Sequence, residues 1–217
     1  MSLFLSLFLF LAVPPQAPPQ GSGLNTLING VDRNFARMRD FSADFVEIVQ
    51  DSLNQKRQES GHLYLMAPRM MRWEYKDPEE KLFVSDGKTV FYYVPADRQV
   101  SKDAVGNTID DRLPLGFLLK RSGLRKEFSR FELLNTPPFL PGDKVIRMYP
   151  LRKTDIQEIV IEVDPVDYVV RRFVFTKVDG ERLEFVFSNI RTNTGLKQSL
   201  FNFTPPPGVQ VLNGIGR

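Results

Sequence analysis

The sequence has no cysteine and a single histidine, His62, and these two shortages exclude much of enzyme chemistry. Without cysteine there is no disulfide, no thiol nucleophile and no cysteine to carry a lipid anchor. One histidine without a visible aspartate partner motif disfavours a nucleophilic triad or a histidine-based zinc site. The sequence also lacks a phosphate-binding loop and the G-x-G-x-x-G and H-E-x-x-H motifs. We therefore expect no catalytic residues, no cofactor and no metal: the chain is not expected to be an enzyme.

An excess of charge of one sign is also missing. The 29 basic residues nearly balance the 26 acidic ones, which leaves a net charge of +3. No long basic block stands out, so a nucleic-acid partner is disfavoured. The mild positive bias is still compatible with work at an anionic membrane surface.

Long apolar runs are scarce as well, and the one at the N-terminus is short. Residues 3–13 are almost unbroken Leu and Phe, followed by a Pro-rich stretch. A membrane-spanning helix needs roughly 20 residues, whereas this run has the length of a secretory h-region. We predict a signal peptide and Pro-rich linker at residues 1–23, with an undetermined cleavage position, and a single domain at 24–217. The alternative is a mis-assigned start or a disordered apolar tail.

The most informative stretch of the remaining chain is residues 68–94, which predicts three consecutive strands. Met71, Trp73 and Tyr75 alternate with Arg72 and Glu74, the period of two of a pleated strand. The turn sequence Asp-Gly at residues 86 and 87 then separates two apolar segments, as in a hairpin. These side chains are too large and too numerous for a single-layer sheet that exposes one face to solvent.

Two helices are predicted beside the strands. Residues 24–39 carry apolar side chains at helical spacing, which include Val31 and Phe35. Residues 113–119 form a short apolar segment in which Pro114 is placed to begin a helix. Both segments are candidates for a cover over an apolar surface, and the alternative for each is a permanent place in a closed core.

Further strands follow at regular spacing along the chain. A polar stretch without a strand pattern follows residue 94. Segments of alternating apolar and polar residues then recur, bounded by Pro, Gly, Asp or Asn. Gly61, inside a strand, indicates a bulge or sharp bend. The count is roughly ten or eleven antiparallel strands, too many for a flat open sheet, so the sheet should curl. The fold class is mainly β with helices (α+β). The predicted strands outside 68–94 are 41–50, 55–66, 131–134, 144–149, 156–163, 168–177 and 181–190.

Three motifs, in the same order along the chain, resemble the LolA family of periplasmic outer-membrane lipoprotein carriers. They are Trp73-Glu74-Tyr75, the hairpin VSDGKT at residues 84–89 and FTPPPGV at residues 203–209. The resemblance covers essentially the whole mature chain. The family commonly places an Arg directly before the Pro at the position of Pro68, but here that residue is Ala67 and Arg69 follows the Pro. Arg69 is thus the candidate for a latch between sheet and lid.

The resemblance implies a strongly curved antiparallel sheet, an incomplete β-barrel whose concave face is covered by the N-terminal helix and the short central helix. Acyl chains would bind between them, since burial of each CH₂ contributes roughly 0.8 kcal/mol. The candidate residues of the lipid-binding cavity are Leu63, Leu65, Met71, Trp73, Tyr75, Phe185 and Phe187. The candidate lid residues are Val31, Phe35, Leu115, Phe117, Leu118 and Leu119. The alternative is that these side chains simply make a closed core.

By the same resemblance, the protein would be a periplasmic monomer that shuttles acylated lipoproteins from the inner to the outer membrane. Its partners would be an inner-membrane ABC-type releasing complex and an outer-membrane lipoprotein acceptor. Three alternatives remain: a carrier of another lipid or glycolipid, a lipid-sensing regulatory domain of the same fold, and a lipid-acting enzyme. The last would need a polar pair in the cavity, and no such pair is evident in the sequence.

Overall fold

The protein is built around one large sheet. The computed structural model describes residues 20–105 and 123–215, and in these residues twelve strands form a single sheet in the order β12-β6-β5-β4-β3-β2-β1-β11-β10-β9-β8-β7. The helices are α1 (Gln20–Arg37) and α2 (Leu124–Glu127), with a 3-10 turn at Gln198–Phe201. The strands are β1 (Asp40–Gln50), β2 (Lys56–Met66), β3 (Met70–Asp77), β4 (Lys81–Asp86), β5 (Thr89–Val94), β6 (Gln99–Ala104), β7 (Phe128–Leu134), β8 (Lys144–Pro150), β9 (Ile156–Val163), β10 (Val170–Lys177), β11 (Arg182–Thr192) and β12 (Gln210–Asn213).

Two antiparallel meanders make up the sheet. Strands β1 to β6 follow one another in space, as do β7 to β11, and each neighbouring pair within them is antiparallel. The long strand β1 joins the two meanders through its pairing with β11, in which Phe45 lies opposite Phe187. The sheet is curved and remains open, because within the described residues β12 and β7 stand at its two ends. The predicted fold class and incomplete barrel are confirmed.

The strand count is twelve rather than ten or eleven, because β6 and β12 were not predicted. Strand β12 pairs with β6 in parallel, the one parallel pairing of the described sheet. A parallel neighbour requires a crossover, and here the C-terminal segment crosses the sheet. Arg72 Nη1 donates to the carbonyl of Leu200 (3.3 Å), and the Phe203 ring packs on Phe91 (5.5 Å between centroids). The FTPPPGV motif is thus an anchor for the last strand.

Gly61 marks an irregularity in the sheet, as its sequence position predicted. The register between β2 and β3 shifts at Ser60 and Gly61. A Cβ atom at Gly61 would overlap the carbonyl oxygen of Glu74 on the neighbouring strand, so only glycine permits this approach. The predicted bulge is therefore confirmed.

Alternation along the strands divides the sheet into two faces. In β1, Phe41, Ala43 and Phe45 are buried, while Ser42 and Asp44 point to the other side. We call the side of Phe45 the inner face and the side of Asp44 the outer face. Helix α1 packs on the inner face with the stripe that contains Leu27, Ile28 and Val31, which belong to the same apolar cluster as Phe45.

Helix α1 begins earlier and ends earlier than the predicted helix at 24–39. Its first residue, Gln20, lies inside the segment predicted to be linker. The helix is held over the sheet by polar contacts as well as by its apolar stripe. Asp32 Oδ1 accepts a hydrogen bond from the backbone N–H of Leu124 (2.7 Å), and Asn34 Nδ2 donates to the carbonyl of Asp167 (3.0 Å). Across residues 20–105 and 123–215, no helix has the length and apolarity needed to cross a membrane.

Candidate functional site

Aromatic rings fill the centre of the inner face. The ring of Phe45 lies edge-on to Trp73 (4.9 Å between centroids) and to Tyr75 (5.1 Å), and Trp73 contacts Phe185 (5.3 Å). These residues come from β1, β3 and β11, so the cluster spans the junction of the two meanders. Edge-to-face arrangements at these distances are favourable for aromatic pairs.

A second set of rings continues the cluster across β10 and β11. Phe185 and Phe187 are stacked along β11 (6.3 Å, 4° between planes), and Phe173 and Phe175 are stacked along β10 (6.1 Å, 8°). Phe41 meets Phe187 edge-on at 5.9 Å. The inner face thus presents a continuous apolar surface from β3 to β10.

The structure brings all seven sequence-predicted cavity residues onto the inner face. Six are buried, with Leu63 wholly inaccessible to solvent, and Tyr75 is half-buried against the same cluster. The prediction did not include Phe41, Phe45, Phe173 and Phe175, although period-two alternation in β1 and β10 was the signal that marks them. The buried six are Leu63, Leu65, Met71, Trp73, Phe185 and Phe187.

The predicted lid residues divide into two groups. Val31, on the stripe of α1 that faces the sheet, is fully buried, and Phe35 on the same helix is half-buried and packed against the same apolar cluster. The other four, Leu115, Phe117, Leu118 and Leu119, lie outside the described residues. The proposed latch residue Arg69 has an exposed side chain and a left-handed backbone (φ 84°) in the turn between β2 and β3. Its carbonyl accepts a hydrogen bond from the Ser85 hydroxyl (3.0 Å).

Little free space remains beneath the C-terminal half of α1. A cavity of about 20 Å³ lies between Phe35 on α1, Met38 just after the helix, and Phe41, Phe173 and Phe187 on the sheet. That volume holds about one water molecule. In this region the protein's own side chains fill the space between α1 and the sheet, and a larger guest there requires those side chains or the helix to move.

The inner face becomes polar beyond Tyr75. The Tyr75 hydroxyl donates to Glu47 Oε2 (2.7 Å), and Lys81 Nζ donates to Glu59 Oε1 (2.5 Å). Burial raises the pKa of Glu47, and the hydrogen bond from Tyr75 partly opposes that rise. An open concavity of about 430 Å³, lined in part by Glu59, Lys81 and Tyr92, lies at this end. The inner face thus runs from an apolar region to a charged one.

The outer face carries the histidine, which has an aspartate partner that the sequence did not reveal. His62 Nδ1 lies 2.6 Å from Asp44 Oδ1, and Asn189 Nδ2 donates to the other carboxylate oxygen (2.6 Å). The pair is exposed and lies on the side of the sheet opposite the aromatic cluster. In the part of the chain that the structure describes, no group of three or more His, Cys, Asp or Glu side chains is arranged to hold a metal ion.

Fold and site together define an open, curved and mainly antiparallel sheet whose aromatic inner face is covered by an amphipathic helix. The family described as outer membrane lipoprotein carrier protein LolA matches residues 36–204. The chain belongs to the LolA family.

Curated relatives carry the same description. The outer-membrane lipoprotein carrier protein of Haemophilus influenzae (strain ATCC 51907 / DSM 11121 / KW20 / Rd) is 31% identical over 177 residues, which are 81% of this chain and 82% of that protein. The protein of the same name from Pseudoalteromonas translucida (strain TAC 125) is 27% identical over 180 residues, with 81% and 82% of the two chains covered.

A solved structure supports the architecture. An uncharacterized conserved protein from Thermus thermophilus superposes with a TM-score of 0.56 at 14% identity, over 90% of this chain and 100% of that chain. At this identity the likeness concerns the fold alone.

Proposed function

We propose that this protein is a periplasmic carrier that binds the acyl chains of lipoproteins between α1 and the inner face and shuttles them from the inner to the outer membrane. The observation that carries this proposal is the aromatic inner face under an amphipathic helix in a chain of the LolA family. The names of the curated relatives support the same cargo class.

The chemistry of the wall suits acyl chains. Met71 and the aromatic rings are polarizable, and Met adapts its shape to irregular guests. Each buried CH₂ contributes roughly 0.8 kcal/mol, so long chains require cover in water. An apolar inner face supplies that cover without any bond chemistry, so the proposal assigns the protein no catalytic step.

The filled interior supports a carrier that can also release its cargo. Because the cavity under the C-terminal half of α1 measures only about 20 Å³, an acyl chain that enters there must displace Phe35, Met38 and their neighbours. The contacts that close the empty protein therefore compete with the lipid. Such competition lowers the net affinity and favours transfer to an acceptor.

The proposal includes the route of the protein and its partners. Residues 1–23 would direct export, and the domain at 24–217 would work in the periplasm as a monomer. An inner-membrane ABC-type complex would load the carrier, and an outer-membrane acceptor would unload it. The candidate lid residues Leu115, Phe117, Leu118 and Leu119, with Arg69 as latch, would complete the cover beside Val31 and Phe35.

The test is native mass spectrometry of the protein purified from its own periplasm, compared with two variants. We expect an acylated lipoprotein in 1:1 complex with the wild type and with Leu53→Glu, which changes an exposed side chain in the turn between β1 and β2. In Phe35→Glu the complex should fall at least tenfold, because a carboxylate at this half-buried position opposes both lipid binding and helix closure. Circular dichroism of both variants checks that the fold is kept.

Other outcomes separate the alternatives. Free phospholipid or glycolipid in place of lipoprotein would keep the binding site and change the cargo. Stable lipid binding without transfer to outer-membrane vesicles would favour a lipid-sensing domain. An empty protein that takes up no lipid probe would indicate a closed core and contradict the carrier. Hydrolysis of lipid esters by the purified protein would contradict the absence of catalysis.

A further inference from the structure

The indole nitrogen of Trp73 is a buried donor without an acceptor. Trp73 is only 2% exposed, and within the described residues its Nε1 has no hydrogen-bond partner. Buried N–H groups nearly always find a partner, since leaving one unsatisfied costs free energy. An unpaired donor in the middle of a candidate binding wall therefore needs a physical explanation.

Among the described residues, the side chains around Trp73 are apolar except for Tyr75, whose ring stacks on the indole (6.4 Å between centroids) and whose hydroxyl donates to Glu47. The ring packs against Phe45 and Phe185 (4.9 and 5.3 Å between centroids), and Leu63 and Phe83 lie opposite it on the neighbouring strands. A phenylalanine would line a purely hydrocarbon pocket without the cost of an unmade hydrogen bond. Binding of acyl methylenes alone therefore gives no reason for the N–H of Trp73.

Trp73 also lies at the boundary between the two regions of the inner face. Along β3, Met71 belongs to the buried apolar region, and Tyr75 reaches the charged region through its hydrogen bond to Glu47. Trp73 lies between them, two residues from each on the same face. An amphiphile has the same order, with methylenes first, then the ester carbonyls and then the polar head.

We propose that the Trp73 indole N–H donates a hydrogen bond to an acyl-ester carbonyl of the bound lipid and so selects ester-linked chains. This inference rests on the proposed function, since it names the group of the cargo that the same inner face recognises. The carbonyl oxygen is the acceptor closest to the hydrocarbon in an O-acylated lipid. A site that supplies a donor discriminates against an analogue that lacks the acceptor.

The test uses a matched pair of probes. One is a short-chain diacyl phosphatidylglycerol, and the other is its dialkyl ether analogue of equal chain length, which lacks both carbonyls. Because the sequence holds one tryptophan, ¹⁵N-tryptophan labelling yields a single indole cross-peak that reports on Trp73 alone. We expect a downfield shift of the indole proton with the ester and not with the ether. The ester should bind about three- to tenfold more tightly.

Two variants separate the N–H from the ring. Trp73→Phe keeps an aromatic ring and removes the donor, so it should bind the two lipids equally. Phe185→Leu alters a neighbouring ring that has no polar atom, so it should weaken both lipids and keep the preference for the ester. If Trp73→Phe fails to fold, the wild-type cross-peak with the two lipids still decides the question.

The outcomes distinguish failure of this inference from failure of the proposed carrier function. Equal affinity for ester and ether, with the same indole shift, would overturn the role of Trp73 and leave the carrier intact. An ester preference that persists in folded Trp73→Phe would also overturn it. Binding of neither lipid would overturn both the inference and the proposed function.

Discussion

Tyr75 and Glu47 are joined across an intervening strand. Tyr75 lies on β3 and Glu47 on β1, and the 2.7 Å hydrogen bond between them passes over β2. The β2 residue that pairs with both Tyr75 and Phe45 is Gly61, whose missing side chain leaves room for the two rings to meet at 5.1 Å. The one glycine thus permits both the aromatic contact and the hydrogen bond.

Replacement of Glu47 by Gln should stabilise the protein at neutral pH. Burial raises the pKa of Glu47 above the ordinary 4.5, so the folded state favours the protonated form. The free energy of unfolding of the wild type then declines as the pH rises from about 4.5 through the raised pKa. Glu47→Gln keeps an acceptor for Tyr75 and should gain about 1 kcal/mol at pH 8, with no gain below pH 4.5.

Urea unfolding at several pH values measures this difference. Glu79→Gln, which changes an exposed carboxylate near the same concavity, should leave the free energy of unfolding almost unchanged. A Glu47→Gln protein less stable than the wild type at pH 8 would mean that the charged form is favoured in the fold.

Replacement of Asp40 by Asn should act in the opposite direction. Burial raises the pKa of Asp40, but hydrogen bonds from the backbone of Thr194, Gly195 and Leu196 outweigh it and hold the pKa below 3.8. The stability that Asp40 contributes is therefore present above pH 3.8 and lost as the pH falls through the lowered pKa. We expect Asp40→Asn to lose about 1–3 kcal/mol at pH 7.

Hydrogen exchange localises the effect of Asp40→Asn. The amides of Thr194 and Gly195, which donate to Asp40 at 2.8 and 2.9 Å, should exchange faster in the variant. Asp97→Asn, at an exposed position, serves as control. Unchanged exchange at both amides would show that the carboxylate does not hold this loop.

Two glycines of α1 form a matched pair for a test of helix docking. A Cβ atom at Gly30 would overlap the ring of Tyr168, whereas one at Gly23 meets nothing within 4 Å. Gly30→Ala should therefore destabilise the protein by about 1–3 kcal/mol despite the better helix propensity of Ala. Gly23→Ala should be neutral or stabilising by up to about 1 kcal/mol. Thermal unfolding of both variants checks this, and equal melting temperatures would contradict the close approach of helix and Tyr168.

A cross-link from α1 to the sheet should block lipid entry. The chain has no cysteine, so Asn34→Cys with Asp167→Cys provides one reactive pair where the native side chain and carbonyl are 3.0 Å apart. A short bis-maleimide should then lower uptake of a fluorescent fatty acid at least tenfold, because the narrow space under α1 cannot widen. The same double variant treated with a mono-maleimide is the control. Undiminished uptake after cross-linking would mean that chains enter without movement of α1.

Local patterns predicted the parts of the fold that short-range physics determines. The Asp-Gly turns have the positive φ expected of glycine, 92° at Gly87 and 91° at Gly180. Period-two alternation placed Met71, Trp73, Phe185 and Phe187 on one face. The unpredicted strand β6 has one apolar core residue, Val100, among mostly polar residues, so its sequence shows almost no alternation of apolar and polar side chains. Strand β12 depends on a chain crossover that only tertiary structure reveals.

The least predictable features of the candidate site are contacts between residues far apart in the sequence. Asn34 contacts Asp167, Asp40 holds Thr194, and Tyr75 reaches Glu47 over a glycine. No periodicity marks such partners. The orphaned Trp73 nitrogen is likewise a property of its surroundings, because the sequence identifies a buried tryptophan and does not identify which groups face its N–H.

The open sheet also affects mechanical compliance. In a closed barrel, strand number and shear fix the radius. Here the described ends of the sheet, β12 and β7, are not bonded to each other. The circumference can therefore widen or narrow through small changes in twist at each strand pair, without the loss of a backbone hydrogen bond. Under the proposed function, an inner face of adjustable width would let acyl cargo of different thickness bind to the same sheet.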